Sequence, residues 1–180
     1  MELKLEHLAI AMVNNMLLQY FDDERELLHN DCKIVELREE EMTIANSEYQ
    51  YDVKFDDVKI IARPLSDLTK EIEVNGEKFV PIVELAKIGI GVRDAIFKSI
   101  KTESKKGDYS FVDETSKLCF YFTSKDSSFG NFYNGKTYSV FNQYELFQKL
   151  LSWHFDLFNL IPNGLAIDVN TLKEPKQTPQ

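Results

Sequence analysis

The chain has 180 residues, 43% hydrophobic and 12% aromatic, with a formal net charge of −9. This is enough apolar material for one domain, or at most two small ones, and it excludes an intrinsically disordered chain. The charge is concentrated: residues 22–57 hold 13 Asp/Glu and 4 Lys/Arg, while the remaining residues hold 17 of each. Such a region disfavours direct nucleic-acid binding, because phosphates need cations.

In chain order, Leu5, Leu8, Ala9, Met12, Val13, Met16, Leu17 and Tyr20 recur at helical spacing and predict an amphipathic helix over 5–21. Weak alternation predicts one or two strands within 32–45. Tyr51, Val53 and Phe55 point one way, and Val58 to Ile61 continue as a buried strand after a bend at Asp56-Asp57. Arg63-Pro64 ends that strand, and Ser66 caps a short helix over 67–72. Asn75-Gly76 is a turn signal, and EIEV and EKFV on either side form an alternative hairpin. Pro81 opens a further helix. Residues 92–101 read as helical and Lys101 to Gly107 as a solvated loop. Strands follow at Phe111-Val112, Leu118–Thr123 and on both sides of the hairpin turn Asn134-Gly135, with a polar loop over 124–130.

The stretch Phe141 to Leu172 organises the rest. Asn142 and Glu145 have capping-box spacing, and Phe141 with Leu146 has staple spacing. Apolar positions on more than one face predict a helix of about 17 residues packed from several sides. Pro162-Asn163-Gly164 make a turn, and Leu165, Ile167 and Val169 alternate with polar neighbours as a strand. Residues 173–180 are polar with two prolines and read as a disordered tail after a single domain over 1–172.

Motifs of chemistry are sparse. Ile88-Gly89-Ile90-Gly91 offers a GxG, but Asp94 stands where a dinucleotide loop needs its third glycine. His154 and Asp156 are two apart, so on a helix they diverge, and His154 reads as a hydrogen-bonded core residue. Cys32 lies close to His29 in an acidic stretch that disfavours a thiolate, and Cys32 and Cys119 read as reduced, mostly buried thiols. No cofactor, metal site or catalytic residue is expected, and the chain reads as a non-enzyme. Candidate partner-binding residues are the acidic ones: Asp22, Asp23, Glu24, Glu26, Glu39, Glu40, Glu41, Asp56 and Asp57. They serve either solubility or docking to a protein with a basic surface. A modest basic patch at Lys98, Lys101, Lys105 and Lys106 is the alternative, RNA-binding surface. The aromatic residues over 109–140 pack a sheet or drive self-association. No membrane-spanning segment or secretory leader is expected, which points to the cytoplasm.

Three blocks add a resemblance: LEHLA at 5–9, RPLSDLTKEIEVNGEKFVPI at 63–82 and WHFDLFNLIPNGLAIDVNTL at 153–172. In this order they resemble a family of phage- and prophage-encoded proteins to which no activity is attached. The family follows LEHLA with a proline-containing segment, whereas this chain has IAMVNNMLLQYF. The resemblance implies a mobile-element origin and a role in the host cytoplasm. It implies an accessory protein that modulates or inhibits a host nucleic-acid-handling or defence complex, such as an RNA-guided nuclease. The alternative is a self-associating phage assembly component. The expected fold is α+β, with an N-terminal and a C-terminal helix packed on one mixed or antiparallel sheet built from 32–61, 109–140 and 165–170.

Overall fold

A computed structural model describes residues 3–21, 26–91, 100–105 and 107–172, and among these residues there are three short α-helices and thirteen strands. The first part contains α1 (Leu5–Val13), β1 (Leu18–Phe21), β2 (Leu27–Leu37), β3 (Glu41–Ala45), β4 (Gln50–Lys54) and β5 (Val58–Ala62). Next come β6 (Ile72–Val74), β7 (Glu77–Phe79), α2 (Pro81–Ile90), β8 (Ile100–Lys105), β9 (Asp108–Asp113), β10 (Leu118–Thr123), β11 (Ser128–Tyr133) and β12 (Lys136–Ser139). The chain closes with α3 (Gln143–Ser152) and β13 (Ala166–Asp168). The α+β class holds, but the expected single sheet is two sheets and a separate hairpin. The strands fall in two compact units, 1–64 with 154–180, and 65–153.

The first unit holds a six-stranded sheet in the order β13-β5-β1-β2-β3-β4, with β13 parallel to β5 and the other pairs antiparallel. Its core joins Leu8 and Ala11 of α1 to Leu18, Cys32, Met42, Ile44 and Ile60. The predicted 5–21 helix stops at Val13. Asn14 caps it and Asn15 takes φ +51°, a conformation asparagine tolerates, so the chain turns and Leu18 begins a strand. The bend at 55–57 is a 3-10 turn between β4 and β5. In β13 the buried residue is Ala166, not the alternating Leu165, Ile167 and Val169 set.

The second unit holds the antiparallel sheet β12-β11-β10-β9-β8 and the β6–β7 hairpin. Both Asn-Gly pairs form their hairpins: Asn75 and Gly76, and Asn134 and Gly135, all have positive φ, as a two-residue turn matching strand twist requires. The short helix at 67–72 is a 3-10 turn over Leu65–Thr69, and residues 72–74 belong to β6. The predicted 92–101 helix falls largely outside the described residues, and its end, Ile100 and Lys101, opens β8. The polar loop at 124–130 is shorter than expected, because β11 begins at Ser128. Phe111, Phe120, Phe122 and Phe129 fill one side of the sheet, and Phe147 of α3 meets Phe122 and Phe129 edge-on. Gly89 belongs to α2, where a Cβ would collide with the Phe120 ring. Gly91 ends the helix in the left-handed conformation, so the GxG is a packing and capping device.

Helix α3 has ten residues rather than the predicted length, because Trp153 caps it and His154 takes φ +63°. Phe141 is 96% exposed, so no staple forms, and the Asn142 amide donates to the Ile88 carbonyl at 3.0 Å instead of capping its own helix. Gln143 ties α3 to the sheet: its amide accepts from Phe129 N at 2.9 Å and donates to Phe129 O at 2.7 Å. The side chain thereby continues the β11 ladder beyond the Gly130–Ser139 pair, where β12 stops.

Candidate functional site

The acidic residues divide by their place on the six-stranded sheet. The turn after β2 carries Glu39 and Glu40, and Glu41 opens β3 opposite Lys54 in register. Asp56 and Asp57 follow β4 directly. Antiparallel pairing therefore brings Glu39, Glu40, Glu41, Asp56 and Asp57 to one end of the β3–β4 pair, where the first four are exposed and Asp57 is half-buried. Glu26 precedes β2 at the opposite end, roughly 35 Å away along an extended strand. Asp22, Asp23 and Glu24 lie outside the described residues.

Beside this end, one cation organises two further acids. The Arg38 guanidinium donates to Glu36 at 3.1 Å and to Thr43 at 3.1 Å, and lies 3.5 Å from Asp52. The Thr43 hydroxyl in turn donates to Asp52 at 2.7 Å. Glu36, Thr43 and Asp52 are cross-strand neighbours, so the motif spans β2, β3 and β4. The hydrogen bond to Glu36, then the charges of Glu36 and Asp52, raise the Arg38 pKa. Among the described residues Glu39 and Glu40 have no ion-pair partner, so their charge faces solvent uncompensated.

Past the other end of β3, the His29, Tyr20 and Tyr51 rings cluster in a triangle: His29 is 6.4 Å from Tyr20 and 5.4 Å from Tyr51, and the two tyrosines are 5.3 Å apart. His29 Nε2 is 2.9 Å from the Tyr51 hydroxyl, and Nδ1 is 3.2 Å from the Asn46 amide nitrogen. Asn46 Oδ1 accepts from the backbone N–H groups of Glu48 and Tyr49 at 2.9 and 2.8 Å. The amide is thereby oriented with its N–H groups towards His29, so Nδ1 must accept and Nε2 must carry the proton given to Tyr51. Burial, and then Cys32, raise the Tyr51 pKa. Burial also pushes the Cys32 thiol up to about 11, so it is an inert core group rather than a nucleophile paired with His29.

The second unit has a cleft between the β6–β7 hairpin and helices α2 and α3. It has a volume of about 540 Å³ and is floored by the Phe79 and Trp153 rings, 4.9 Å apart. Glu77, Lys78, Glu84 and Lys149 form its walls, and Glu84 is held by Lys87 at 2.6 Å. Periodicity alone puts Trp153 inside a longer helix and so hides the cleft, whose one edge visible in the sequence is the adjacent Asn-Gly hairpin.

The remaining candidates are structural. Both carboxylate oxygens of buried Asp156 accept backbone N–H groups, from Leu160 and Ile161, at 2.8 Å each. His154 Nε2 meets the Asn14 carbonyl at 2.9 Å, and burial, reinforced by Arg63 and Lys33, lowers its pKa although the Asn14 bond opposes this. His154 thus ties its segment to the end of α1, and Asp156 holds the turn before β13. Of the basic patch, Lys101 is ion-paired with Glu114, Lys105 is exposed, and Lys98 and Lys106 lie outside the described residues. Among the described residues no three His, Cys, Asp or Glu side chains are grouped to hold a metal ion, and no helix is long and apolar enough to cross a membrane. The 173–180 segment also lies outside the described residues. The chain matches no family model, no curated protein and no solved structure.

Proposed function

We propose that this is a non-enzymatic, phage- or prophage-encoded accessory protein that works in the host cytoplasm by docking on a basic protein surface. The observation that carries the reading is the gathering of Glu39, Glu40, Glu41, Asp56 and Asp57 at one end of the β3–β4 pair. A strand turn and a 3-10 turn present these acids on a rigid sheet, so little ordering cost accompanies docking. The partner class is a host complex that handles nucleic acid, such as an RNA-guided nuclease, whose phosphate channel supplies a matching basic surface. The engagement of His154 and Asp156 in backbone hydrogen bonds supports a non-catalytic role for the WHFD segment.

Affinity capture from host lysate tests the reading. The intact chain should retain a basic protein at low salt and lose it as ionic strength rises, because exposed charge pairs are screened. The triple change Glu39→Lys, Glu40→Lys, Asp56→Lys should weaken capture by at least about tenfold, mainly through slower association. Capture that is indifferent to salt and to the triple change would refute acidic docking.

A further inference from the structure

We infer that the free edge of β12 is a self-association site: two copies of this chain pair their β12 strands antiparallel about a two-fold axis through Thr137, joining two five-stranded sheets. The first observation is the edge itself. Among the described residues β12 pairs only with β11, without a bulge, and all four of its residues are exposed. A bare edge presents a row of backbone donors and acceptors that is a ready template for another strand. The other outer edges of the two larger sheets are blunted. In β8, three of six residues are Lys101, Glu103 and Lys105, and Thr102 reaches the Thr69 carbonyl at 3.2 Å. Strand β4 carries Asp52 and Lys54, and β13 has three residues. β12 carries only Lys136, and Phe132, Tyr133 and Tyr138 beside it are 42–46% exposed.

The second observation identifies the occupant as a second copy. Residues 65–153 contain twelve Lys/Arg and twelve Asp/Glu, so this unit is neutral while the chain as a whole carries −9. A unit without net charge, with aromatics exposed at this edge, suits like-with-like contact and offers no excess charge to recruit an oppositely charged partner. A two-fold axis normal to the sheet pairs residues of one face only. In the Thr137-centred register Thr137 therefore meets its own copy, and Lys136 meets Tyr138 of the other chain twice. The two lysines stay apart, each ammonium lies over a tyrosine ring, and the Thr–Thr pair is a favourable cross-strand match. On one face the row across the joint runs Phe132, Thr137, Thr137, Phe132, because Phe132 is the cross-strand neighbour of Thr137.

Sedimentation of the intact chain over a concentration series tests this, with Thr137→Lys and Thr137→Cys as variants. The unchanged chain should form dimers, with a dissociation constant in roughly the micromolar range expected of a small interface. Thr137→Lys places two ammonium groups face to face and should weaken the dimer by about tenfold or more. Thr137→Cys, in a chain whose Cys119 is replaced by Ser, should form a disulfide with its own copy under mild oxidation. Cα atoms about 4.5–5.5 Å apart permit it. A strict monomer at about millimolar concentration would overturn the inference. So would a Thr137→Lys dimer of unchanged affinity, provided circular dichroism shows the variant folded.

Discussion

The two units divide the chemistry of the chain between them. Residues 1–64 with 154–180 hold 9 Lys/Arg against 18 Asp/Glu, and residues 65–153 hold twelve of each. The acidic unit has a mixed sheet whose core is aliphatic, with Leu, Ile, Met and Val of α1 and five strands. The neutral unit has a wholly antiparallel five-stranded sheet, and its core adds the Phe111, Phe120, Phe122 and Phe129 rings to aliphatic side chains such as Leu68, Ile82, Leu85, Leu146 and Leu150. The difference teaches that charge and aromatic content, both visible in composition, are separate regional properties here. One unit carries the whole excess of negative charge, and the other most of the aromatic rings.

The comparison yields four predictions, in falling order of size. Phe120→Ala removes a fully buried ring against Gly89 and Phe129 and should cost about 3–5 kcal/mol. Hydrogen exchange should show that cost in the amides of 65–153. If protection falls equally in 1–64, the division into units has no energetic meaning. Asp156→Ala in the acidic unit strips two backbone N–H groups of their acceptor and should cost about 3 kcal/mol in denaturant titrations. A cost below about 0.5 kcal/mol would mean the carboxylate does not hold the turn.

The third prediction is smaller and concerns pH. Because the folded pKa of His154 is lowered, the unfolded chain takes up a proton first as pH falls. Stability is therefore fully present above the ordinary histidine value and declines as pH drops through it towards the folded one. His154→Asn, which tolerates the positive φ, should flatten that decline between about pH 7 and 5. An unchanged slope would assign it to other groups. The smallest effect is screening. Raising salt should stabilise amides of the acidic unit by a few tenths of a kcal/mol and leave the neutral unit unmoved.

Much of the local structure was legible and little of its assembly. Asn75-Gly76 and Asn134-Gly135 fix their hairpins because the two-residue turn demands positive φ, a demand met within the dipeptide. β1 was not legible, because Met16, Leu17 and Tyr20 continue the helical spacing of α1 and only Asn14-Asn15 signals the break. The early end of α3 was hidden likewise, since His154 carries an uncommon left-handed backbone that no local preference announces. The acidic candidates were visible as residues but not as a group. Glu26 and Glu39 are thirteen positions apart in sequence and at opposite ends of a strand, while Glu41 and Asp56, fifteen apart, share one end. The Phe79–Trp153 cleft depends on a pairing across 74 positions that periodicity does not carry.

The connectivity of the parallel β5–β13 pair sets an order on synthesis. Ile60 waits for Ala166, and every residue of the neutral unit lies between them in the chain. A ribosome releases 65–153 whole while the acidic sheet still lacks its last strand. The neutral unit is built from hairpins between neighbouring strands, the kind of local contact that closes fastest. During that interval β5 has an open edge towards β13, and Val58, Ile60 and Ala62 lie on it. The nascent chain is thus most exposed to aggregation just before β13 emerges, and truncation ahead of Ala166 would make that interval permanent.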